Sequence, residues 1–308
     1  MTSDAVATTT VGDLSPEDFY AELTRRNAGL VSPAQQAALR HGTVLVAGCG
    51  SVGGAAVQPL TRLGAQRFLL ADPGLFELNN LNRQPATVRD LDRNKAEVAG
   101  ERILEINPHA RVRVFPEGVT RDNVDELTAT CGAIVDGVDV TTPSGLQAKF
   151  LLHEWALRRR VPLITGWDMA GVQYLQCYDY REVTAEFGGR ITRSDVDTLN
   201  VWELILRMIP MRRIPPEMLA DVSPNLRNPD YSVPQLVYAA LMFGAFSAHV
   251  VARLMAGERV NDEVVFDLHR AVRLPPEAWR TRARWPIEAW RMAVARRRLA
   301  KALARQPS

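Results

Sequence analysis

Three glycines and one acidic residue form the pattern in this sequence that most directly suggests chemistry. Gly48, Gly50 and Gly53 have the spacing G-x-G-x-x-G between an apolar run and a helical pattern, and Asp72 follows nineteen residues later. Such glycines allow a tight turn, close approach of the backbone to a phosphate and close helix packing, while the helix N-terminus favours the anion. Asp72 could accept a hydrogen bond from a ribose hydroxyl. The pattern predicts a nucleotide-binding loop, with a mere strand-to-helix turn as the alternative.

Polar and cationic side chains follow this loop. Asn80, Arg83 and Gln84 lie in one short segment, Lys95 comes eleven residues later, and Asp139 follows a later strand pattern. An Arg fork and a Lys ammonium both suit phosphate oxygens, and a carboxylate is a ligand that Mg²⁺ prefers. Taken alone, each has an ordinary interpretation as a surface charge, a turn or a helix cap. Together they predict a magnesium-phosphate clamp at the carboxyl ends of the strands.

Alternating strand and helix patterns would position these residues. The apolar segments that predict strands are residues 43–47, 68–71, 112–115, 133–135 and 162–165. Helical patterns separate them, which predicts an α/β fold: a Rossmann-like, doubly wound, mostly parallel sheet with helices on both faces. Residues 171–180 alternate apolar and polar side chains and predict an antiparallel extension with one face towards water.

The chain divides into three predicted parts. Residues 1–14 predict a flexible N-terminal arm, residues 15–272 predict one nucleotide-binding domain, and residues 273–308 predict a basic, Trp-rich helical tail. Within the domain, the prolines of residues 181–233 predict an irregular crossover segment with a single helical piece. The apolar stretch 236–252 approaches the length of a membrane span, but its polar residues favour a buried core helix.

The composition is that of an ordinary globular protein. Apolar residues make up 46% and charged residues 23%, which excludes a disordered or collagen-like chain. The three cysteines have no C-x-x-C spacing, which argues against a zinc ribbon or a disulfide framework. Because the first residues also lack the basic region of a signal peptide, a reducing cytoplasm is the expected location. The five histidines have no metal-ligand spacing and are assigned no role.

The predicted tail concentrates positive charge. Residues 275–308 contain nine Arg and Lys and two Glu, whereas the whole chain has a formal net charge of +2, so the remainder is net negative. A basic helix with Trp279, Trp285 and Trp290 could bind RNA, an acidic carrier protein or a membrane surface. The favoured interpretation is docking on the negative domain or on a dimer mate. No membrane or nucleic-acid partner is expected.

Taken together, these motifs resemble the ThiF/HesA/MoeB family of adenylyltransferases, relatives of the ubiquitin-activating enzymes. The resemblance covers about 240 residues, and its most specific element is Asn-Leu-x-Arg-Gln at residues 80–84; the other segments are 25–27, the glycine loop, 162–166 and 233–235. It implies ATP-dependent activation of a carboxylate, with release of pyrophosphate and formation of an acyl adenylate. It also implies a homodimer that acts on the C-terminus of a ubiquitin-like or sulfur-carrier protein, on a peptide or on a small acid.

The resemblance implies a role for each matching residue. These residues are Asp72 for the ribose, Asn80, Arg83 and Lys95 for the phosphates with Gln84 beside them, Asp139 for Mg²⁺, the three loop glycines for the nucleotide, and Arg26 for the partner subunit's site. ATP and Mg²⁺ are therefore the expected cofactors.

The chain departs from the family pattern at several positions. It lacks the two C-x-x-C pairs of zinc-binding members, so no zinc is expected. No cysteine lies between Arg181 and Pro234, and Cys177 is interpreted as a packed thiol, so no enzyme thioester is expected. Gly74 stands where a second acid is frequent, and Val140 where Asn is common. The competing hypotheses are an NAD(P)-dependent oxidoreductase on the same loop and a non-catalytic scaffold.

Overall fold

The structure is a computed structural model that describes residues 14–228 and 230–303. The predicted N-terminal arm lies outside the described residues, apart from Leu14, as does the end of the tail beyond Leu303. The described chain contains a seven-stranded sheet. Its strands are β1 Thr43–Ala47, β2 Arg67–Ala71, β3 Arg111–Phe115, β4 Cys131–Asp136, β5 Leu163–Met169, β6 Val172–Tyr178 and β7 Glu263–Asp267.

The order of the strands creates a ligand-binding edge. They lie in the order β3-β2-β1-β4-β5-β6-β7, with β1 to β5 parallel and with β6 and β7 antiparallel additions. The chain winds outwards from β1 in both directions, so the ends of β1 and β4 flank a topological switch point, where open α/β sheets bind ligands. The predicted fold class is confirmed.

Helices connect the strands and flank the sheet. They are α1 Pro16–Thr24, α2 Pro33–His41, α3 Ser51–Leu63, α4 Lys95–Ile106, α5 Val124–Ala129, α6 Pro143–Arg159, α7 Arg193–Thr198, α8 Val201–Met208, α9 Pro216–Asn225, α10 Val237–Met255, α11 Leu268–Val272, α12 Pro275–Ala283 and α13 Trp285–Leu303. Local capping explains several starts: Ser32 and Gln35 form a capping box at α2, and the Asn94 side chain accepts hydrogen bonds from two backbone N–H groups of α4.

Two hydrophobic cores cover the two faces of the sheet. One packs β-strand residues against α2, α3, α4 and α10, with Phe243 of α10 fully buried. The other packs the opposite face against α5, α6, α8 and α9, with Leu219 of α9 fully buried. Helix α10 is long and apolar enough to cross a membrane, with a mean hydropathy of 1.5, but 56% of its apolar window is buried inside the protein, which favours a core helix.

The prediction that one face of β6 meets water is wrong. All seven residues of β6 are buried, because helices cover both of its faces. The polar residues that suggested exposure have internal partners: Gln176 accepts from Trp167 Nε1 at 2.7 Å and donates to Met208 O at 3.2 Å. A buried polar side chain with satisfied hydrogen bonds is compatible with a core position.

The crossover and the tail are both helical. Residues 181–233 contain α7, α8 and α9, so the crossover has more regular structure than its prolines suggest. Helix α13 packs on α9, with Met292 buried and Trp285 Nε1 donating to Ile214 O at 3.1 Å. Trp279 and Trp290 are exposed by 71% and 66%. Of the three tail tryptophans, Trp285 docks on the domain and the other two face solvent.

Candidate active site

A cleft of about 1240 Å³ opens at the carboxyl ends of β1, β2, β4 and β5. Most of the residues predicted from the sequence meet there. The predicted residues that line the cleft are Gly48, Gly50, Asp72, Asn80, Arg83, Gln84, Lys95 and Asp139. Gly53 lies beneath the loop, where a Cβ would come within 1.9 Å of Gly48 O, so its role is close packing of α3 on the loop.

The glycine loop depends on close contact between backbones. Gly48 has φ +82°, and a Cβ there would lie 2.3 Å from the carbonyl carbon and oxygen of Gly137. The loop therefore passes against the turn after β4. Gly48 N also donates to Ala71 O at 2.7 Å, which ties the loop to the end of β2. The loop leads directly into the N-terminus of α3, a favourable position for an anion.

Asp72 is fixed by the backbone at the end of β2. Its Oδ2 accepts from Cys49 N at 2.5 Å and its Oδ1 from Gly74 N at 2.7 Å. Burial raises the pKa of the carboxyl group, against the opposing effect of these two hydrogen bonds and of Lys95. Each oxygen keeps a free lone pair, so the carboxylate can still accept a ribose hydroxyl.

Arg83 is held by three neighbouring acceptors. Its Nε donates to Gln235 Oε1 at 2.6 Å, and its Nη1 donates to Asn79 O at 3.0 Å and to Asn82 Oδ1 at 2.8 Å. Among the described residues, Nη2 has no acceptor. Desolvation lowers the pKa of the guanidinium, with Asp168 and Asp139 opposing the shift, but an Arg stays charged in proteins. The free edge of a fixed cation suits an anionic ligand.

Asn80 and Gln84 shape the turn that presents Arg83. Asn80 is buried, its Oδ1 accepts from Glu77 N at 3.2 Å, and its backbone carbonyl accepts from the N–H groups of Arg83 and Gln84 at 3.1 and 2.8 Å. Gln84 lies beside Gly50, and its buried Oε1 has no hydrogen-bond partner within the described part of the chain. Asn80 thus supports the turn, and Gln84 touches the loop.

Lys95 is the first residue of α4. Its backbone N–H donates to Gly74 O at 3.0 Å, and no carboxylate of the described residues lies within 4.0 Å of its ammonium group. A Cβ on Gly74 would lie 3.0 Å from Asp72 Oδ1 and 3.5 Å from Lys95 Cδ and Cε. The glycine that departs from the family pattern therefore leaves room for the lysine stem.

Asp139 stands exposed at the mouth of the cleft, before α6. Its Oδ1 accepts from Thr141 N and its Oδ2 from Thr141 Oγ1, both at 2.9 Å. The described residues contain no cluster of three or more His, Cys, Asp and Glu that could hold a metal by themselves. A single carboxylate is nevertheless sufficient where Mg²⁺ takes its remaining ligands from phosphates and water. The donor set therefore fits a nucleotide-bound Mg²⁺.

The sequence interpretation missed a buried network in the floor of the cleft. Lys149 Nζ donates to Asp136 Oδ2 at 2.5 Å and to Thr165 Oγ1 at 3.0 Å, while His153 Nε2 lies 3.1 Å from the same Asp136 oxygen. Burial raises the pKa of Asp136, but the ammonium and the imidazole outweigh this effect and hold the pKa below its usual value. Burial lowers the pKa of His153, which favours the neutral ring. The assignment of no role to this histidine is wrong, because it helps to hold a buried carboxylate.

Asp168 of β5 is a second residue that sequence reasoning missed. It lines the cleft, is 8% exposed, and its buried Oδ2 has no hydrogen-bond partner among the described residues. Burial raises the pKa of its carboxyl group to about 6, against the opposing effects of Ser51 and Arg83. An acid two residues after Gly166, close to the end of a predicted strand, is the only signal that the sequence offers.

Arg26 and the cysteines lie outside the cleft. Arg26 is exposed in a short 3₁₀ turn, Arg25–Asn27, and does not line the cleft of its own chain. All three cysteines are buried and free, and none lines the cleft. Burial raises the pKa of Cys177 to about 12, so its thiol is protonated and inert at neutral pH.

The chain also matches a known protein family. Residues 24–182 match the ThiF family, so the chain belongs to it, which confirms the resemblance read from the sequence. An uncharacterized Mycobacterium tuberculosis protein is 33% identical over 192 residues, 61% of this chain and 26% of that protein. The Escherichia coli tRNA threonylcarbamoyladenosine dehydratase is 36% identical over 130 residues, 42% of this chain and 47% of that enzyme.

Another relative is named for adenylyl transfer. The sulfur carrier protein adenylyltransferase of Thermus thermophilus is 30% identical over 137 residues, 44% of this chain and 49% of that enzyme. The chain spans less than half the length of each of these three relatives. Among solved structures, PaaA is similar with a TM-score of 0.59 at 16% identity, over 87% of this chain and 74% of that one. The E. coli dehydratase gives 0.55 at 20% identity, over 79% and 98%. Both share the fold.

Proposed function

We propose that this protein binds ATP with Mg²⁺ in the cleft and adenylates a carboxylate. The observation that carries the proposal is the convergence of Asp72, Arg83, Lys95 and Asp139 on the glycine loop at one edge of the sheet. Displacement at a phosphorus with several negative oxygens needs fixed positive charge more than it needs an acid or a base. The cleft holds this charge on Arg83, which is fixed by hydrogen bonds, and on Lys95, the first residue of α4. ATP complexes of the E. coli dehydratase and of E. coli MccB, at TM-scores of 0.54 and 0.51, support the choice of nucleotide.

Each group has a task in this proposal. Asp72 accepts from the ribose, the loop and the N-terminus of α3 receive the phosphates, and Arg83 and Lys95 balance the charge that develops on them. Mg²⁺ held by Asp139 would neutralise phosphate charge and help to orient the leaving pyrophosphate. The substrate's carboxylate oxygen then attacks the α-phosphorus, the bond to the β-phosphate oxygen breaks, and pyrophosphate leaves with the electron pair.

No enzyme thioester follows in this proposal, because the three cysteines are buried and none of them lines the cleft. The acyl adenylate passes directly to an acceptor. The substrate class is the C-terminus of a ubiquitin-like or sulfur-carrier protein, a peptide or a small acid. The name of the Thermus relative supports the first of these. The proposal includes a homodimer, in which exposed Arg26 reaches the partner's site, and a cytoplasmic location where the thiols stay reduced.

ATP–pyrophosphate exchange tests the proposal. Purified protein is given ATP, Mg²⁺ and labelled pyrophosphate with three types of carboxylate: a small protein ending in Gly-Gly, a short peptide and free amino acids. Arg83→Ala should lower exchange at least 100-fold, as expected for loss of a fixed transition-state cation. The matched control is Arg89→Ala, an exposed arginine outside the cleft, which should leave exchange unchanged.

The competing hypotheses predict other results. Tight binding of NADH without binding of ATP would favour an oxidoreductase. ATP binding without exchange for any carboxylate would favour a non-catalytic scaffold. Equal exchange in Arg83→Ala and wild-type protein would contradict the roles assigned to the cleft.

A further inference from the structure

One buried carboxylate in the cleft is explained neither by the fold nor by nucleotide binding. Asp168 is 8% exposed, and its Oδ2 is buried without a partner among the described residues. The Gln173 amide, oriented so that both of its ends are satisfied, donates to the other oxygen, Oδ1, at 2.6 Å. Burial of a charged oxygen without a donor is costly, and proteins retain such groups mainly at functional sites.

The order of the strands places Asp168 far from the proposed ribose site. Asp72 follows β2, and β1 and β4 lie between β2 and the strand that carries Asp168, β5. Neighbouring strands are about 4.8 Å apart, so the two carboxylates are about 14 Å apart across the sheet. The glycine loop and the turn after β4 occupy the space between them. An acyl group on the α-phosphate would lie on the side away from the proposed ribose site, which is the side of Asp168 and which we call the acceptor side.

The other acids of this edge are already occupied. Asp72 accepts two backbone N–H groups, Asp136 is paired with Lys149, and Asp139 accepts twice from Thr141. Asp168 alone of these four keeps a buried oxygen with no donor from the described chain. A negative oxygen in a low-dielectric wall is best matched by a ligand that brings both positive charge and N–H donors. An amino group has both, whereas a hydroxyl or a thiol has no positive charge.

We propose that Asp168 forms a subsite for an acceptor amine that takes the acyl group from the adenylate; this inference rests on the proposed adenylation. The amine binds at Asp168 as an ammonium ion and gives one proton to the carboxylate, which frees the lone pair of its nitrogen. That nitrogen attacks the carbonyl carbon of the acyl adenylate, a C–N bond forms, the bond between that carbon and the phosphate oxygen breaks, and AMP leaves with the electron pair. The nitrogen loses its second proton to water, and the product is an amide. No oxidant or further reactant is needed.

Local geometry supports access to the carboxylate. Ser51, the first residue of α3, lines the cleft and lies near enough to Asp168 to lower the pKa of its carboxyl group. The terminal torsion of an Asp side chain is broad and two-fold, so a small rotation can turn either oxygen towards the cleft. A pKa of about 6, raised by burial, also lets this group both accept a proton from the attacking nitrogen and release it to water near neutral pH.

The experiment compares adenylation with acyl transfer in Asp168→Asn. A carboxylate that supports pyrophosphate exchange is supplied with ammonium chloride, methylamine or hydroxylamine, and the amide or hydroxamate is quantified by mass spectrometry. Exchange should stay within twofold of wild type, whereas transfer to ammonia and methylamine should fall at least 100-fold, the usual effect of losing a general base. Hydroxylamine is largely unprotonated at neutral pH and should still trap the acyl group.

Two further variants complete the test. Asp168→Glu should restore part of the amine transfer, and Glu117→Gln, which alters another cleft-lining acid on the far side of the cleft, should change neither reaction. Amine transfer at the wild-type rate in Asp168→Asn would overturn the proposal. So would loss of exchange in that variant, or transfer by wild-type protein to thiols and not to amines. Absence of exchange in wild-type protein would instead refute the proposed adenylation itself.

Discussion

The two sides of the cleft stabilise their buried carboxylates in different ways. On the nucleotide side, next to β1 and β2, the backbone N–H groups of Cys49 and Gly74 bind both oxygens of Asp72. On the acceptor side, Asp168 keeps an oxygen with no donor from the described chain. The fold thus completes the first site before the ligand arrives, while the second is completed by its ligand. Preorganised sites give tight binding, and unsatisfied ones reveal where a ligand must supply the missing contacts.

The largest expected effect is on stability, from a substitution of the ion-pair partner of Asp136, which lies between the two sides of the cleft. Lys149→Met removes the ammonium and leaves a fully buried carboxylate whose remaining side-chain partner is His153, a ring that burial keeps neutral in the wild-type protein. Breaking a buried ion pair from one side costs about 3–5 kcal/mol of unfolding free energy. Urea titration monitored by circular dichroism measures the loss.

The same variant has an expected pH dependence. The charge of Lys149 helps to lower the pKa of His153, so its removal should raise that pKa. Protonation of His153 in the folded variant then costs less than it does in the wild-type protein, so the destabilisation should be smaller at acidic pH than at alkaline pH. Lys149→Met combined with Asp136→Asn should recover much of the loss. A double variant no more stable than the single one would show that the pair is not the cause.

Asp168→Asn should stabilise the protein, the opposite of an ordinary core substitution. The carboxyl pKa rises from 3.8 to about 6 on folding. At pH 4 the carboxyl group is mostly protonated in the folded protein, so its burial costs little stability. Between pH 3.8 and pH 6 it ionises in the unfolded chain before it ionises in the folded protein, so stability falls as the pH rises, and above pH 6 the full loss of stability remains. At pH 7.5 the variant should gain up to about 3 kcal/mol, and the gain should vanish near pH 4. Differential scanning calorimetry at both pH values provides the measurement, and equal stability at pH 7.5 would contradict the account.

Gly74→Ala tests how closely the nucleotide side is packed. The added Cβ would lie 3.0 Å from Asp72 Oδ1 and 3.5 Å from the Lys95 stem, so it should displace one of them. We expect ATP affinity by calorimetry to fall about tenfold, equivalent to about 1.4 kcal/mol. The melting temperature serves as the control and should change little. Unchanged affinity would show that the space beside Gly74 is not needed.

Cys177→Ala should have the smallest effect. The thiol is buried in β6 with a pKa raised by burial to about 12, and it does not line the cleft. Pyrophosphate exchange and amine transfer should both remain at wild-type rates, with at most about 1 kcal/mol of stability lost. Loss of acyl transfer with retained exchange would show that the acceptor side uses a thiol after all.

Much of the fold could be predicted because local signals agree with it. The strand β1 has the bounds that its apolar pattern predicts, and the other four predicted segments each fall on one of the parallel strands β2 to β5. The glycine loop could be predicted because the spacing of its glycines between a strand pattern and a helix pattern is a local motif. Such features depend on spacing alone.

The features that the sequence did not predict depend on contacts between segments that are far apart in the chain. Arg83 is held by Gln235, which lies 152 residues away in the sequence, and no local pattern encodes that bond. His153 acquires its role only because α6 brings it to Asp136 and Tyr180. The alternation of β6 suggested a wet face, but Gln176 finds its partners on β5 and at Met208. Polarity in a sequence does not distinguish water from a buried hydrogen-bond partner.

The proposed nucleotide site is tested most directly by a crystal structure of the protein with Mg²⁺ and a non-hydrolysable ATP analogue. We expect the ribose at Asp72, phosphate oxygens within hydrogen-bond distance of Arg83 and Lys95, and the metal beside Asp139. A nucleotide bound with its phosphates away from these three residues would contradict it.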